Sequence, residues 1–453
     1  MEHHGVISLI PVAVVITSAI LTKRTTESLL FGSIAGFIAL HGVKFFMPWL
    51  DAVYGVMMDS TTAWVILLFS LFGSLIALLE KSGGALGFSK FAVKITKTRK
   101  ISLIVTWILG IIVFIDDYLN ALAVGSVMRQ VTDHYRVSRE MLAYVVNSTG
   151  AAVCVLIPFS TWSAFMAGQL EANNVLVNGS ATAAYISCIP YSFYAWVSVF
   201  IVPLIIWKIV PIYGGMKKAE QRALETGQVF PEGSEVQEEM GEVSAAHQED
   251  VKLYNFAVPM LVLAIVTIWS SDMLIGVIAA IVSCAILYFP QKLMSFNTFC
   301  DHCIDGMKDM VPVMALLLAA FFLQATNDTL GLTPYVIEKA QAILSPALLP
   351  AVSFIIVGAL AFATGSFWGL AAIAFPIIIP LAQHMDVNVF LASGAIISGA
   401  TFGSHTCFYG DAVTLSCAAT QIKNIDYVRT SIPIIAMPTV AALILFVVFG
   451  FIM

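Results

Sequence analysis

An adjacent pair of carboxylates interrupts apolar sequence early in the chain. Asp116 and Asp117 open the segment DDYLN, which follows ISLIVTWILGIIVFI and ends at Asn120, and apolar sequence resumes at Ala121. A carboxylate inside a membrane span costs about 3 kcal/mol on insertion scales, so it is kept where a cation, a proton or a polar partner offsets that cost. Neighbouring helical positions point roughly 100° apart. The pair therefore predicts two roles, one acid facing a cavity and one capping or pairing, unless the run ends at the membrane surface and both acids are solvated.

Neutral oxygen-bearing side chains follow this pair. Asn147 and Thr149 lie in NSTG, and Ser160 and Thr161 come just after Pro158. Glycine and proline free backbone carbonyls, and carbonyl and hydroxyl oxygens of this kind bind Na+ at unwound points of membrane helices. The alternative for each hydroxyl is that it holds neighbouring helices together.

The second half contains similar groups, namely Ser366, Thr401, Ser404, His405, Asp411 and Thr414. Asp411 is a third acid flanked by apolar sequence. An imidazole titrates near neutral pH, so His405 is either a proton carrier or a hydrogen-bonding strut. Asp116, Asp117 and Asp411 are the candidate Na+ ligands. The sequence shows no His-rich metal cluster and no arrangement of nucleophile and base, so it predicts no enzyme and no catalytic residue.

The composition requires a bilayer around these groups. Of 453 residues, 59% are hydrophobic and 11% are charged, whereas soluble domains have about 25% charged residues. Ten apolar runs approach the roughly 20 residues that span hydrocarbon. Regions 116–170 and 365–420 are interrupted by Gly, Pro, Ser, Thr and Asp. We expect an all-α membrane protein with about 12 to 14 transmembrane helices. The sequence has a net charge of −6 and no clustered basic face, so we expect no nucleic-acid partner.

The chain divides into two similar halves. Shifting it by about 248 residues superposes the apolar runs and the interrupted regions. Residues 1–213 and 253–453 form the halves, and the polar stretch 214–252 links them. Basic residues at 23–24 and 81–100 belong on the cytoplasmic side, which puts the N-terminus outside and the linker in the cytoplasm. The second half then enters the membrane from the opposite side. Such inverted repeats place a binding site where broken helices meet at the midplane.

Three segments resemble a known family. They are FIDDYLNALAVGSVMRQVTDHYRVSREMLAYVVNSTGAAVCVLIPFSTW, GSFWGLAAIAFPIIIPLAQ and SGATFGSHTCFYGDAVTLS. The chain resembles the NhaC-type Na+/H+ antiporter family of the ion transporter superfamily, over roughly residues 60 to 435. Members exchange Na+ and H+, and some relatives move amino acids or organic acids. The resemblance implies a binding role for Asp116, Asp117, Asn120, Thr149, Ser160, Thr161, Ser366 and Asp411.

The chain departs from the family pattern at two core acids. Asn147 stands where the family has an acid, and Ser404 stands where it has aspartate in Gly-Asp-His or Gly-Asp-Lys. The block CFYGDAVT keeps Asp411 and Thr414 but little else of the family's motif. A core with fewer fixed anions attracts cations less and repels a carboxylate-bearing solute less.

These observations predict a secondary active transporter in the cell membrane, coupled to Na+ and/or H+, that works by alternating access without a cofactor. The first hypothesis is plain Na+/H+ exchange. The second is Na+- or H+-coupled movement of a small amino acid or organic acid, motivated by Asn147 and Ser404. An ion channel or a non-transporting receptor are the alternatives from other classes. The expected partners are the bilayer and a small solute or ion. A homodimer is compatible with the sequence, which identifies no contact face.

Overall fold

The structure is a computed structural model that describes residues 4–22, 24–83, 96–231, 252, 254–270, 272–341, 344–364, 367–407 and 410–453. Apart from an isolated bridge between Val177 and Ser180, these residues contain no strand, so the predicted all-α class is confirmed. The described α-helices of the first half are α1 (Ile10–Thr22), α2 (Thr25–His41), α3 (Phe46–Met57), α4 (Ser60–Lys81), α5 (Arg99–Ile112), α6 (Asp117–His134), α7 (Arg139–Leu156), α8 (Thr161–Ala172), α9 (Ala181–Cys188) and α10 (Phe193–Ile206), and the linker contains α11 (Gly214–Thr226). Those of the second half are α12 (Tyr254–Ser270), α13 (Met273–Tyr288), α14 (Phe296–Asp309), α15 (Val311–Leu330), α16 (Leu332–Gln341), α17 (Leu349–Thr364), α18 (Phe367–His384), α19 (Val389–Thr406), α20 (Asp411–Thr420) and α21 (Asn424–Ile452).

The helix boundaries repeat along the chain. Helices α5, α6, α7 and α8 each begin 250 residues before α17, α18, α19 and α20, and α6 and α7 have the same lengths as α18 and α19. The interrupted regions predicted from sequence therefore contain helices in the same order in both halves. The opposite orientation of the two halves stays a prediction.

Helices of the two halves pack across one another. Helix α6 lies against α20, and α8 lies against α18, while α7 and α19 are in contact. Within each half, α5 packs on α7 and α17 packs on α19. Helix α7 is buried along almost its whole length. These contacts bring the starts of α6, α8, α18 and α20 into the interior of the bundle. Backbone groups at such helix ends lack helical partners.

Membrane spans can be assigned by length and composition. Four described segments are long and apolar enough to cross a bilayer, namely Thr26–Lys44, Thr62–Lys81, Phe367–His384 and Asn424–Ile452. The pairs α7 with α8, and Ala181–Tyr191 with α10, bend by 42° and 55°, and each pair could be one broken span or a re-entrant segment. Further apolar helices of 10–17 residues include α12 and α13. The chain is a multi-pass membrane protein, and the expected 12 to 14 crossings stay a prediction.

The polar stretch 214–252 begins with a helix. Helix α11 buries Met216 and Ala219 and packs against α7 and α21. Its Glu220 forms an ion pair with Arg99 and accepts a hydrogen bond from the backbone N–H of Ser138 at 2.9 Å. The first third of the predicted linker is therefore attached to the helical bundle. Residues 232–251 lie outside the described residues.

Helices α4 and α14 are in close backbone contact at two glycines. A Cβ added to Gly73 would overlap the backbone carbonyl of Gly306, and the reverse substitution would meet the carbonyl of Gly73. Because backbone atoms cannot turn away as a flexible side chain can, either helix would have to move. The close contact thus depends on the absence of a side chain at both positions.

Replacing Gly73 with alanine should lower the stability of the protein by about 2 kcal/mol, within the range for overpacked cores. Thermal unfolding of the detergent-solubilised protein measures this. Gly55→Ala in α3 is the matched control, because a Cβ there has no atom within 4 Å. That variant should be as stable as the parent or slightly more stable, since alanine favours helix. Equal melting temperatures for the two variants would contradict the close contact.

Candidate functional site

Asp116 ends the break between α5 and α6. It is the N-cap of α6, and its Oδ1 accepts hydrogen bonds from the backbone N–H groups of Tyr118 and Leu119, both at 3.0 Å. Its Oδ2 accepts a hydrogen bond from the hydroxyl of Thr161 at 3.1 Å. Asp116 is 5% exposed. Asp116 thus has the capping role that the sequence predicted for one member of the acid pair.

The break between α7 and α8 lies against the break between α5 and α6, and the hydrogen bond from Thr161 to Asp116 joins the two breaks. Helix α7 ends at Leu156, and α8 begins after Ser160. The side chain of Ser160 caps α8 by accepting a hydrogen bond from the backbone N–H of Ser163, and it donates to the carbonyl of Cys154. The backbone N–H of Thr161 donates to the carbonyl of Ile115 at 2.9 Å. Thr161 therefore holds the start of α8 against the start of α6 through both its backbone and its side chain.

Asn120 stabilises the other side of the first break. Its Nδ2 donates to the carbonyls of Gly110 at 2.6 Å and Val113 at 2.8 Å, at the end of α5. These carbonyls lose their helical partners where α5 stops. Asn120 is fully buried, and its Oδ1 accepts no hydrogen bond from the described residues. Its amide fixes the geometry of the break and leaves an oxygen acceptor in the interior.

The buried carboxylates of the described residues are Asp116, Asp117, Glu140 and Glu220. Glu140 and Glu220 form ion pairs with arginines. Asp117 is 2% exposed and occupies the first position of α6, where the helix dipole favours a negative charge. No group of three or more His, Cys, Asp or Glu side chains able to hold a metal ion occurs in the described part of the chain.

The structure describes one predicted site residue, Asp411, only in its backbone and does not describe another, Ser366. Asp411 opens α20 directly after Gly410, and α20 packs against α6 and α7. The backbone of Asp411 therefore lies at a helix N-terminus, 250 residues after Thr161. Ser366 lies outside the described residues.

A buried network surrounds His405. Its Nε2 lies 3.0 Å from Ser148 Oγ, and its Nδ1 lies 2.9 Å from the hydroxyl of Tyr194. Its carbonyl accepts hydrogen bonds from Asn147 Nδ2 and from the hydroxyl of Tyr427, both at 3.1 Å. The network connects α7, α10, α19 and α21. His405 and Asn147, both predicted as binding residues, thus lie together and link four helices.

The remaining hydroxyls differ in their surroundings. Thr149 donates to the carbonyls of Val145 and Val146, and Thr401 donates to its own helix in the same way. Ser404 is fully buried, and its Oγ has no hydrogen-bond partner among the described residues. Thr414 is exposed and accepts a hydrogen bond from Asn424 Nδ2 at 2.9 Å. The structure therefore brings Ser404 into the interior and places Thr414 apart from the buried groups.

An aromatic cluster that begins directly after Thr161, the hydrogen-bond partner of Asp116, was not predicted from the sequence. We define it as Trp162 and Phe165 of α8 with Phe367 and Trp368 of α18. The Trp162 ring stacks on Phe367 at 5.5 Å between centroids, and Trp368 contacts Trp162 at 4.8 Å and Phe165 at 4.7 Å. The available signal was that each tryptophan follows a break in the apolar sequence by one or two residues.

Loss of the His405 side chain should destabilise the fold. His405→Ala leaves a cavity and removes the partner of the buried Ser148 and Tyr194 hydroxyls, so we expect a loss of about 3 kcal/mol. The measurement is thermal unfolding in detergent. The matched control is His384→Ala, because His384 is exposed at the end of α18 and should change stability by less than about 0.5 kcal/mol. A His405→Ala protein that melts with the parent would refute the strut role.

The chain is similar in sequence to a known family and to several known proteins. The model of a family described as the Na+/H+ antiporter family matches residues 174–451, more than half of the chain. An uncharacterized protein of Haemophilus influenzae is 27% identical over 98% of this chain and 91% of its own length. The malate-2H(+)/Na(+)-lactate antiporter of Bacillus subtilis is 24% identical over 35% of this chain and 34% of its own length.

Two solved structures have a similar fold. MtrF of Neisseria gonorrhoeae, described as illuminating a class of antimetabolite efflux pumps, superposes with a TM-score of 0.60 at 13% identity, covering 91% of this chain and 86% of MtrF. The YdaH transporter of Alcanivorax borkumensis, described as having an unusual topology, gives 0.55 at 12% identity, covering 91% and 90%. At these identities the likeness is one of fold.

Proposed function

Because the chain belongs to the Na+/H+ antiporter family, we propose that it couples the movement of Na+ or H+ to that of a small organic acid or amino acid. The family is one of secondary transporters and not an enzyme class. One observation most strongly supports an organic acid or amino acid as the transported solute. Asn147 and Ser404, where the family resemblance places acids, are neutral and buried, while Asp116 and Asp117 remain. With these two positions neutral, fewer fixed core carboxylates repel a bound anion.

The coupling ion would bind at the junction of the two helix breaks. Carboxylates and free backbone carbonyls are the ligands that Na+ takes at discontinuous membrane helices. Asp116 and Asp117 supply the carboxylates, and the breaks at residues 113–116 and 157–160 supply the backbone. With Asp411 at the repeat-related helix start, the chain has three acids for Na+ or a proton. Asp116 would act through its fixed orientation, since three hydrogen bonds hold its carboxylate.

Alternating access is the transport mode that fits this arrangement. The recurrence of helix starts after 250 residues supports two repeats, and we propose that they are inverted, as the distribution of basic residues predicts. Helices α8 and α18, which pack against each other across the halves, would then move relative to each other as the site opens to either side. In this orientation the N-terminus lies outside the cell membrane and α11 lies in the cytoplasm.

Plain Na+/H+ exchange is the second candidate. It is favoured by the family description and by a relative described as an uncharacterized Na(+)/H(+) antiporter of Haemophilus influenzae. The malate-2H(+)/Na(+)-lactate antiporter moves organic acids together with both ions, as its name states. It therefore supports organic acids as the first solutes to test in this chain.

Reconstitution into proteoliposomes separates the two candidates. A pH-sensitive dye inside the vesicles reports proton movement when a Na+ gradient is imposed, first without organic solute and then with L-lactate, L-malate or a mixture of amino acids. We expect no pH change from the Na+ gradient alone, and a pH change on adding a solute if H+ is its coupling ion. A full pH response to Na+ alone would reject the proposed solute transport and establish exchange.

A further inference from the structure

Two indole N–H groups are buried without hydrogen-bond partners beside the ion site. Trp162 is fully buried and Trp368 is 9% exposed, and among the described residues neither Nε1 has an acceptor. A buried tryptophan N–H usually finds a partner. The packing of the aromatic cluster covers the faces of the rings but satisfies neither donor. Each unpaired donor is costly to bury, so both suit an acceptor that arrives from outside the protein.

Both indoles belong to the first turn of a helix. Trp162 is the second residue of α8, which has 12 residues, and Trp368 is the second residue of α18, which has 18. The first turn of a helix bears a partial positive charge, which favours a bound anion. The two ring centroids are 4.8 Å apart, so side chains from the first turns of two helices, one in each half of the chain, meet in the aromatic cluster.

We propose that the two indole N–H groups bind the carboxylate of the transported solute. An indole nitrogen only donates hydrogen bonds, so the acceptor must be an oxygen or an anion and cannot be Na+. Two donors and two helix N-termini match the two oxygens and the negative charge of a carboxylate. This subsite rests on the proposed function, which it deepens by stating how the solute is recognised.

The neighbouring residues indicate what else the solute carries. Phe165 and Phe367 are buried in the same cluster and offer an apolar surface, so a carboxylate with a small apolar group fits better than a highly charged anion. Thr161, directly before Trp162, donates to Asp116. The carboxylate subsite is thereby adjacent to the acid pair, and the bound cation and the bound anion would stabilise each other. This proximity gives a physical reason for coupling.

Matched ligand pairs test the subsite in the full-length protein. The probes are L-lactate with L-lactamide and L-phenylalanine with L-phenylalaninamide, since each amide keeps the rest of the molecule and replaces the charged carboxylate with a neutral amide. Binding to the purified protein is measured by isothermal calorimetry in the presence of Na+. The variants are Trp162→Phe and Trp368→Phe, which keep an aromatic ring and remove the N–H. Trp269→Phe is the control, because Trp269 is 85% exposed.

The parent and the Trp269→Phe control should bind at least one carboxylate in preference to its amide. Trp162→Phe and Trp368→Phe should each weaken binding of that carboxylate by about tenfold or more. Binding of the amide should change little, so a general loss of packing would not reproduce the result. If the variants keep the full carboxylate preference while the parent binds, the subsite is wrong and the proposed function stands. If the parent binds neither carboxylate and transports none in vesicles, both proposals fail.

Discussion

Asp117→Asn should remove most of the response of the protein to its coupling ion. Asparagine keeps the size of the side chain and removes its charge, and hydrogen bonds or ion contacts to a charged group are worth about 1.5–3 kcal/mol. We therefore expect ion affinity to fall by roughly 10- to 150-fold. Asparagine at the start of α6 carries no negative charge that could replace the charge of the lost carboxylate.

Thermal unfolding as a function of Na+ concentration and pH measures this loss. An ion at 100 times its dissociation constant stabilises the folded state by about 2.7 kcal/mol, and a 100-fold weaker site would leave only about 0.4 kcal/mol. The matched control is Asp51→Asn, the same chemical change at an exposed position of α3. If Asp117→Asn and Asp51→Asn respond to Na+ and pH alike, Asp117 is not part of the ion site.

Glu140→Ala should cause the largest loss of stability among changes outside the site. Glu140 is 2% exposed at the start of α7, and both of its oxygens accept hydrogen bonds from Arg222 of α11 at 3.0 Å. Removing one partner of a buried pair leaves the other charge uncompensated, which costs about 3–5 kcal/mol. The side chain of Arg222 is 20% exposed, so water relieves part of this cost, and we expect about 3 kcal/mol.

An exposed ion pair supplies the control for Glu140. Asp305 and Lys308 of α14 lie 2.8 Å apart with side chains 61% and 68% exposed, and such exposed pairs contribute little to stability. Chemical denaturation in detergent should therefore rank Glu140→Ala well below Asp305→Ala in stability. Equal stabilities would show that α11 is not anchored to the bundle by this ion pair.

Much of the architecture could be predicted from local sequence. Apolar runs fixed the helices, because burial in a bilayer requires long stretches without charge. The two interrupted regions were located correctly, since Gly, Pro and Asp weaken helices wherever they occur. Their adjacency predicted two different roles for Asp116 and Asp117, and Asp116 has the capping role, although it lies before α6 in extended backbone.

Pairings between distant residues could not be predicted in this way. Asn147 and Tyr427 are 280 positions apart, and His405 meets Tyr194 across 211 positions. Nothing in the local sequence indicates that these side chains hydrogen-bond to each other. The same holds for Thr161 and Asp116, whose contact depends on two helix breaks that meet only in the folded protein.

Hydroxyl groups were the least predictable part of the site. Thr149 and Thr401 occur in segments rich in Gly and Ser, yet both donate to carbonyls of their own helices, so these bonds do not link neighbouring helices as the sequence-based alternative expected. Ser404, from the same kind of segment, has no such partner among the described residues. The rotamer of each side chain decides between these outcomes, and packing rather than sequence determines the rotamer.

Gradient-driven uptake tests the central claim most directly. The full-length protein and Asp117→Asn are reconstituted into proteoliposomes, and uptake of labelled L-lactate, L-malate and amino acids is followed with a Na+ gradient, a pH gradient, both or neither. We predict that the parent accumulates at least one solute only when a gradient is present and that Asp117→Asn does not. Accumulation of no solute under any gradient, or equal uptake with and without gradients, would contradict cation-coupled solute transport.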